Sequence, residues 1–107
     1  MSKNVRNVEI FQHFPIAESI SEILVGNSVA PCVQIFPNIK SVYKWKDKLE
    51  NTNEILLLIK TIPENVNMCK DIIIKHHNYE IPELIVTDGD ILEDLYQDWF
   101  IGMSRKI

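Results

Sequence analysis

Hydrophobic positions change period along the chain, and the changes mark the elements. Val5, Val8, Ile10 and Phe11 are β-prone and closely spaced, which predicts a first strand from Val5 to His13. Phe14-Pro15 ends it, because proline removes a ladder donor and restricts the residue before it. From Ile16 the spacing lengthens. Ile16, Ile20, Ile23 and Leu24 share one helical face, while Glu18, Ser19, Ser21 and Glu22 cover the other. Gly26-Asn27 reads as a left-handed cap closing that helix.

A β-rich run follows from Cys32 to Trp45, interrupted by Pro37-Asn38. Proline inside a strand predicts an edge position or a bulge. Asp47-Lys48 reads as the hairpin turn, since Asp tolerates turn conformations. The third strand, Leu49 to Thr61, is continuously apolar at its centre, Ile55-Leu56-Leu57-Leu58-Ile59. An antiparallel strand with one wet face alternates. This one predicts cover on both faces: helices on one side and a partner subunit on the other.

Pro63-Glu64 opens a second helix, with Val66, Met68, Cys69, Ile72, Ile73 and His76 as its apolar stripe and His77-Asn78 at its end. Leu84 to Thr87 reads as a fourth strand and Asp88-Gly89-Asp90 as a turn. Leu92, Leu95, Tyr96, Trp99 and Phe100 predict a last short amphipathic helix, and the tail from Gly102 to Ile107 is expected to fray. The order is that of an α+β chain: a ferredoxin-like βαββαβ plait with a short C-terminal helix, one domain over residues 1–107.

Charge narrows the partners. The net charge is -4 with a pI near 5.3, which argues against nucleic acid, whose phosphates need a clustered positive surface. Lys40, Lys44, Lys46 and Lys48 lie close together but alternate with Tyr43, Trp45 and Asp47, the pattern of a solvated hairpin. No apolar run approaches the length of a membrane span, and Met1 to Phe11 lacks the apolar stretch of a secretory signal. The expectation is a cytoplasmic chain with no membrane partner. Cys32 and Cys69 form no C-x-x-C and read as two reduced, buried thiols. No Gly-rich phosphate loop, Gly-x-Ser-x-Gly or His-Glu-x-x-His occurs, and a non-catalytic protein is expected.

Three blocks in order resemble the CutA family, proteins named for divalent-cation tolerance. The first is Leu24-Val25, Val29-Ala30-Pro31-Cys32-Val33-Gln34-Ile35, Ser41, Tyr43, Trp45, Leu49, Glu54 and Lys60-Thr61. The second is His77-Asn78-Tyr79-Glu80-Ile81-Pro82-Glu83-Leu84, and the third is Tyr96-Gln97-Asp98-Trp99. The chain departs from the family at Pro31, Asn78 and Asp47, and in the opening His13-Phe14-Pro15-Ile16. The resemblance implies a homotrimer whose long second and third strands pair across subunits, with Tyr43 and Trp45 anchoring the neighbour. It also implies that Cys32, Lys60, Tyr79, Glu80 and Glu83 line an inter-subunit cleft.

Copper or another divalent cation is the ligand the resemblance implies, with no cofactor required. Some family members are described as binding copper through a cysteine near the end of strand one and an adjacent His-His pair. The pair matches His76-His77; the cysteine position is Gln12, beside His13. His13, His76 and His77 are therefore the candidate metal ligands, although adjacent residues at a helix end point about 100° apart. The alternative for His76 is a place in the buried helical stripe. Two other functions stay open: a regulatory or scaffold trimer binding a small metabolite or protein partner in its clefts, and a hydrolase or transferase between Lys60 and Glu83.

Overall fold

A computed structural model of the chain describes residues 3–11, 14–76 and 83–104. The elements run β1 (Lys3–Phe11), α1 (Phe14–Gly26), β2 (Cys32–Trp45), β3 (Lys48–Thr61), α2 (Val66–His76), β4 (Leu84–Asp90) and α3 (Asp94–Gly102). A single 3-10 turn, Pro63–Asn65, leads into α2. Every strand pairing is antiparallel, in the order β2-β3-β1-β4. This is the βαββαβ plait that the periodicity predicts.

The core lies between the two long helices and one face of the sheet. Ala17, Ile20 and Leu24 of α1, Ile55, Leu57 and Ile59 of β3, and Cys69 and Ile73 of α2 are all buried in one cluster. Alternate residues of a strand point to opposite faces, so Leu56 and Leu58 stand on the face away from the helices, where they are half-buried. Phe36, Tyr43, Trp45 and Ile85 share that open face by register and are exposed.

Turn chemistry departs from expectation in three places. The left-handed residue after α1 is Ser28 (φ 59°), not Gly26 or Asn27. Ser28 N–H donates to Val25 O at 3.0 Å and Val29 N–H to Leu24 O at 3.0 Å, the pair of bonds that defines a Schellman cap. The hairpin turn is Lys46-Asp47, one residue earlier than predicted, because Trp45 pairs with Lys48. Both turn residues have positive φ, 51° and 64°, as a two-residue hairpin matching the strand twist requires. Asp88-Gly89-Asp90 is not a turn: these residues end β4 and pair with Val5, Asn4 and Lys3. Ladder partners decide that backbone, whatever its composition.

Pro37-Asn38 behaves as expected. β2 is an edge strand, its register shifts between Phe36 and Ile39, and Asn38 has φ 62°. The last helix differs. Of its predicted apolar stripe only Phe100 is buried; Leu92 is 91% and Leu95 77% exposed. Leu92 precedes the helix, whose first turn is capped by Glu93 Oε2 accepting the Tyr96 N–H at 2.6 Å. The described tail reaches Ser104, whose hydroxyl donates to Phe100 O at 2.7 Å. No helix among the described residues is long and apolar enough to cross a membrane.

Candidate functional site

The α1–β2 connection positions the first candidate residues. The Val29 carbonyl accepts from Thr61 Oγ1 at 2.6 Å and from Asn65 Nδ2 at 3.2 Å. Val29, Thr61 and Asn65 are all buried, so these bonds tie Val29-Ala30-Pro31 to the end of β3 and the start of α2 in low dielectric. Sequence reasoning did not find Thr61 or Asn65 as an anchoring pair; its only signal was Thr61 beside Lys60 in a family block. The anchor sets where Cys32 begins β2.

Cys32 is a free thiol, half-buried rather than buried as the sequence predicts, and stands opposite Lys60 in the ladder. Lys60 is half-buried too. Tyr96 of α3 lies close enough that Cys32 opposes its ionisation; burial first, then Cys32, raise the phenol above its ordinary range. Cys32 thus has Lys60 beside it in the ladder on one side and lies within electrostatic reach of the Tyr96 phenol on the other. Cys69 lies apart, in the core. Burial pushes its thiol up to about 11 against a hydrogen bond with Thr61, so it is a neutral packed thiol.

His76 does not complete the buried stripe of α2. It is exposed at the helix end, with Nδ1 2.8 Å from the Ile72 carbonyl oxygen. That contact places the proton on Nδ1 and leaves Nε2 as an acceptor or ligand atom. Glu83 is exposed just before β4. His13, His77, Tyr79 and Glu80 lie outside the described residues. Among the described residues no three His, Cys, Asp or Glu side chains cluster to hold a metal ion. His76 therefore fits the role of one ligand, and the described residues supply no complete donor set around it.

Tyr43 and Trp45 are 38% and 44% exposed on the hairpin, with Lys46 Nζ 5.9 Å from the Trp45 ring centre. Val42 and Leu49, on the hairpin's other face, are exposed as well.

The family model described as CutA1 divalent ion tolerance protein matches residues 10–102. The human protein CutA is 37% identical over 92 residues, covering 86% of this chain and 51% of its own. The chloroplastic CutA of Arabidopsis thaliana is 31% identical over 111 residues, covering 98% of this chain and 59% of its own. The divalent-cation tolerance protein CutA of Thermus thermophilus is 31% identical over 84 residues, covering 78% and 82%. The chain thus spans about half the length of the plant and vertebrate relatives. Two solved structures extend the likeness over the whole fold. CutA of Xylella fastidiosa has a TM-score of 0.89 at 32% identity, covering 95% and 98%. The divalent ion tolerance protein of Ehrlichia chaffeensis has 0.88 at 29%, covering 96% of each chain. The CutA of Archaeoglobus fulgidus is a periplasmic protein and that of Arabidopsis thaliana a chloroplastic one, so similar chains occupy more than one compartment.

Proposed function

Because this chain belongs to the CutA1 divalent ion tolerance protein family, we propose that it is a non-catalytic homotrimer acting in tolerance of divalent cations, copper foremost. The observation that carries the assembly is the open sheet face. Leu56, Leu58, Phe36, Tyr43 and Trp45 stand there without helical cover. A monomer seldom leaves so much contiguous apolar surface in water. Pairing long hairpins across subunits also covers the β2 edge, which would otherwise template aggregation. Cation binding engages the exposed Nε2 of His76, joined by His77 and His13. The protein works in the cytoplasm, with neither nucleic acid nor membrane as partner.

Calorimetric titration of copper(II) and zinc(II) into the protein and into the His76→Ala/His77→Ala variant tests the cation. One ion per subunit at micromolar affinity, lost in the variant, supports the reading. Unchanged or absent binding removes the histidines from it.

The second reading is a regulatory trimer that holds a small metabolite in its clefts. It is favoured by Cys32 at the end of the open face, with Lys60 opposite it in the ladder and Tyr96 within its electrostatic reach, residues that cation tolerance leaves unused.

A further inference from the structure

Gly26 ends α1 and Gly102 ends α3, and the two helix ends border one open hollow of about 410 Å³. Gly26, Asn27 and Ser28 wall it on one side, Gly102, Met103 and Ser104 on the other. Glycine disfavours a helix, and its usual justifications fail at both positions. Neither glycine has the positive φ that side chains avoid, and a Cβ at either would meet nothing within 4 Å. Their carbonyls set them apart. A helix leaves its last four carbonyls without an intrahelical partner. At the end of α1, Ile23 O accepts from the Asn27 N–H, Leu24 O from Val29 and Val25 O from Ser28. At the end of α3, Trp99 O accepts from the Met103 N–H, Phe100 O from the Ser104 hydroxyl and Ile101 O from the Ser104 N–H. In each set of four, only the glycine carbonyl accepts nothing among the described residues. The Asn27 amide N–H donates to Ile23 O at 2.7 Å, which leaves its Oδ1 as a further acceptor. The hollow thus presents oxygens at the negative ends of two helix dipoles. Neither helix has a basic residue in its last turn, where one commonly bonds the final carbonyls. Exposed Glu22 and Asp98 instead stand four residues before the glycines, on the same helical faces.

We propose that this hollow binds a small organic cation with a guanidinium or primary ammonium head. Its several N–H donors bond the two glycine carbonyls and Asn27 Oδ1, in charge-assisted bonds of the strong kind. The bare Cα positions at Gly26 and Gly102 leave room for the head to reach those oxygens. Half-exposed Met103 gives an alkyl stem an apolar wall. A bare metal ion fits worse. The hollow falls within the size range of small-molecule pockets, roughly 300–1,000 Å³. No carboxylate side chain lines it, whereas hard divalent ions call for carboxylates. The site is therefore separate from the histidines proposed for cation tolerance.

Methylguanidinium and n-butylammonium chlorides, titrated separately into the full chain at constant ionic strength, test the site through amide chemical shifts. Tetramethylammonium, a cation without N–H donors, is the control. The amides of residues 26–28 and 102–104 should move together and saturate with the first two cations only. Gly26→Lys and Gly102→Lys each supply a cation from one wall, and both should bind at least about tenfold more weakly than wild type. Glu18→Lys adds the same charge near the start of α1 and should bind as wild type does, with the circular dichroism of a folded chain in every variant. Each protein is also made with Arg105→Gln/Lys106→Gln, so that the last cations of the chain itself do not compete; saturation in either background supports the site. No saturable shift in both backgrounds, an equal response to tetramethylammonium, or unchanged binding in either folded lysine variant overturns it. The cation that saturates at lower concentration names the head group.

Discussion

Thr61 Oγ1 donates to the carbonyl oxygen of Val29 at 2.6 Å, across the gap between the end of β3 and the loop before β2. Asn65 donates to the same oxygen at 3.2 Å. With two donors present, Thr61→Val should cost only about 1 kcal/mol, since the buried carbonyl keeps a partner. Thr61→Val/Asn65→Leu leaves it bare and should cost about 1–3 kcal/mol more than the sum of the single changes. Urea unfolding at one fixed protein concentration checks this. Additivity within about 0.5 kcal/mol would show that the shared oxygen does not couple the two residues.

Cys69 makes stability fall at alkaline pH. Its thiol is raised from an ordinary 9.0 to about 11 by burial, so the folded state holds a proton that the unfolded state releases. The contribution is complete below about pH 9 and is lost as pH rises toward 11. The loss is on the order of 2 kcal/mol. Unfolding free energies of wild type and Cys69→Ala, measured from pH 8 to 11, should show a steeper decline in wild type. Parallel curves would mean that the thiol ionises without leaving its packing.

The element order was legible because periodicity survives folding: helical spacing in α1 and α2, and a doubly apolar centre in β3, follow from what each element packs against. Local conformations were less legible. Gly26-Asn27 signals a cap, yet Ser28 takes the left-handed position, because the site of the Schellman bonds depends on how far α1 runs. Asp88-Gly89-Asp90 has turn composition but lies in a ladder with β1, a non-local partner that no local window contains. Leu92 and Leu95 fit an apolar stripe, yet a single chain leaves them exposed. Of the candidate site, Cys32 and Lys60 were legible as a family block, and the ladder makes them neighbours. Tyr96 near Cys32 needed the third dimension. His76 was legible as a ligand candidate, but its exposure was not, since residue spacing alone places it on the buried stripe.

The hairpin turn carries strain that one substitution should relieve. Asp47 sits at φ 64° without being glycine, and a left-handed conformation disfavours a side chain. Asp47→Gly should stabilise the chain by about 0.5–1 kcal/mol, because glycine adopts that backbone without the Cβ penalty. The gain is limited by the extra freedom glycine brings to the unfolded chain. Thermal unfolding at matched concentration gives the answer; a loss of stability would show that the Asp47 side chain holds the turn through a bond of its own.

Leu58 offers the sharpest test of the assembly. It occupies the helix-free face opposite Gln34 of β2 and Val8 of β1, one residue from the buried Leu57 and Ile59. Leu58→Glu therefore leaves the helix-facing core untouched and places a charge on the surface where subunits are proposed to meet. An unpaired carboxylate at the centre of an apolar interface costs several kcal/mol, enough to separate the subunits at micromolar concentration. Light scattering should give three times 12.5 kDa for wild type and 12.5 kDa for the variant, with the circular dichroism of a folded chain in both. Trp45→Ala, on the hairpin, should act more mildly, costing about 2 kcal/mol or more as a contact anchor and shifting dissociation to higher protein concentration. Glu18→Lys, exposed on α1, should leave the mass unchanged. A wild-type mass of 12.5 kDa would sink the shared-sheet account. A trimeric Leu58→Glu would instead move the interface to the exposed residues Leu92, Leu95 and Trp99 at the other end of the chain.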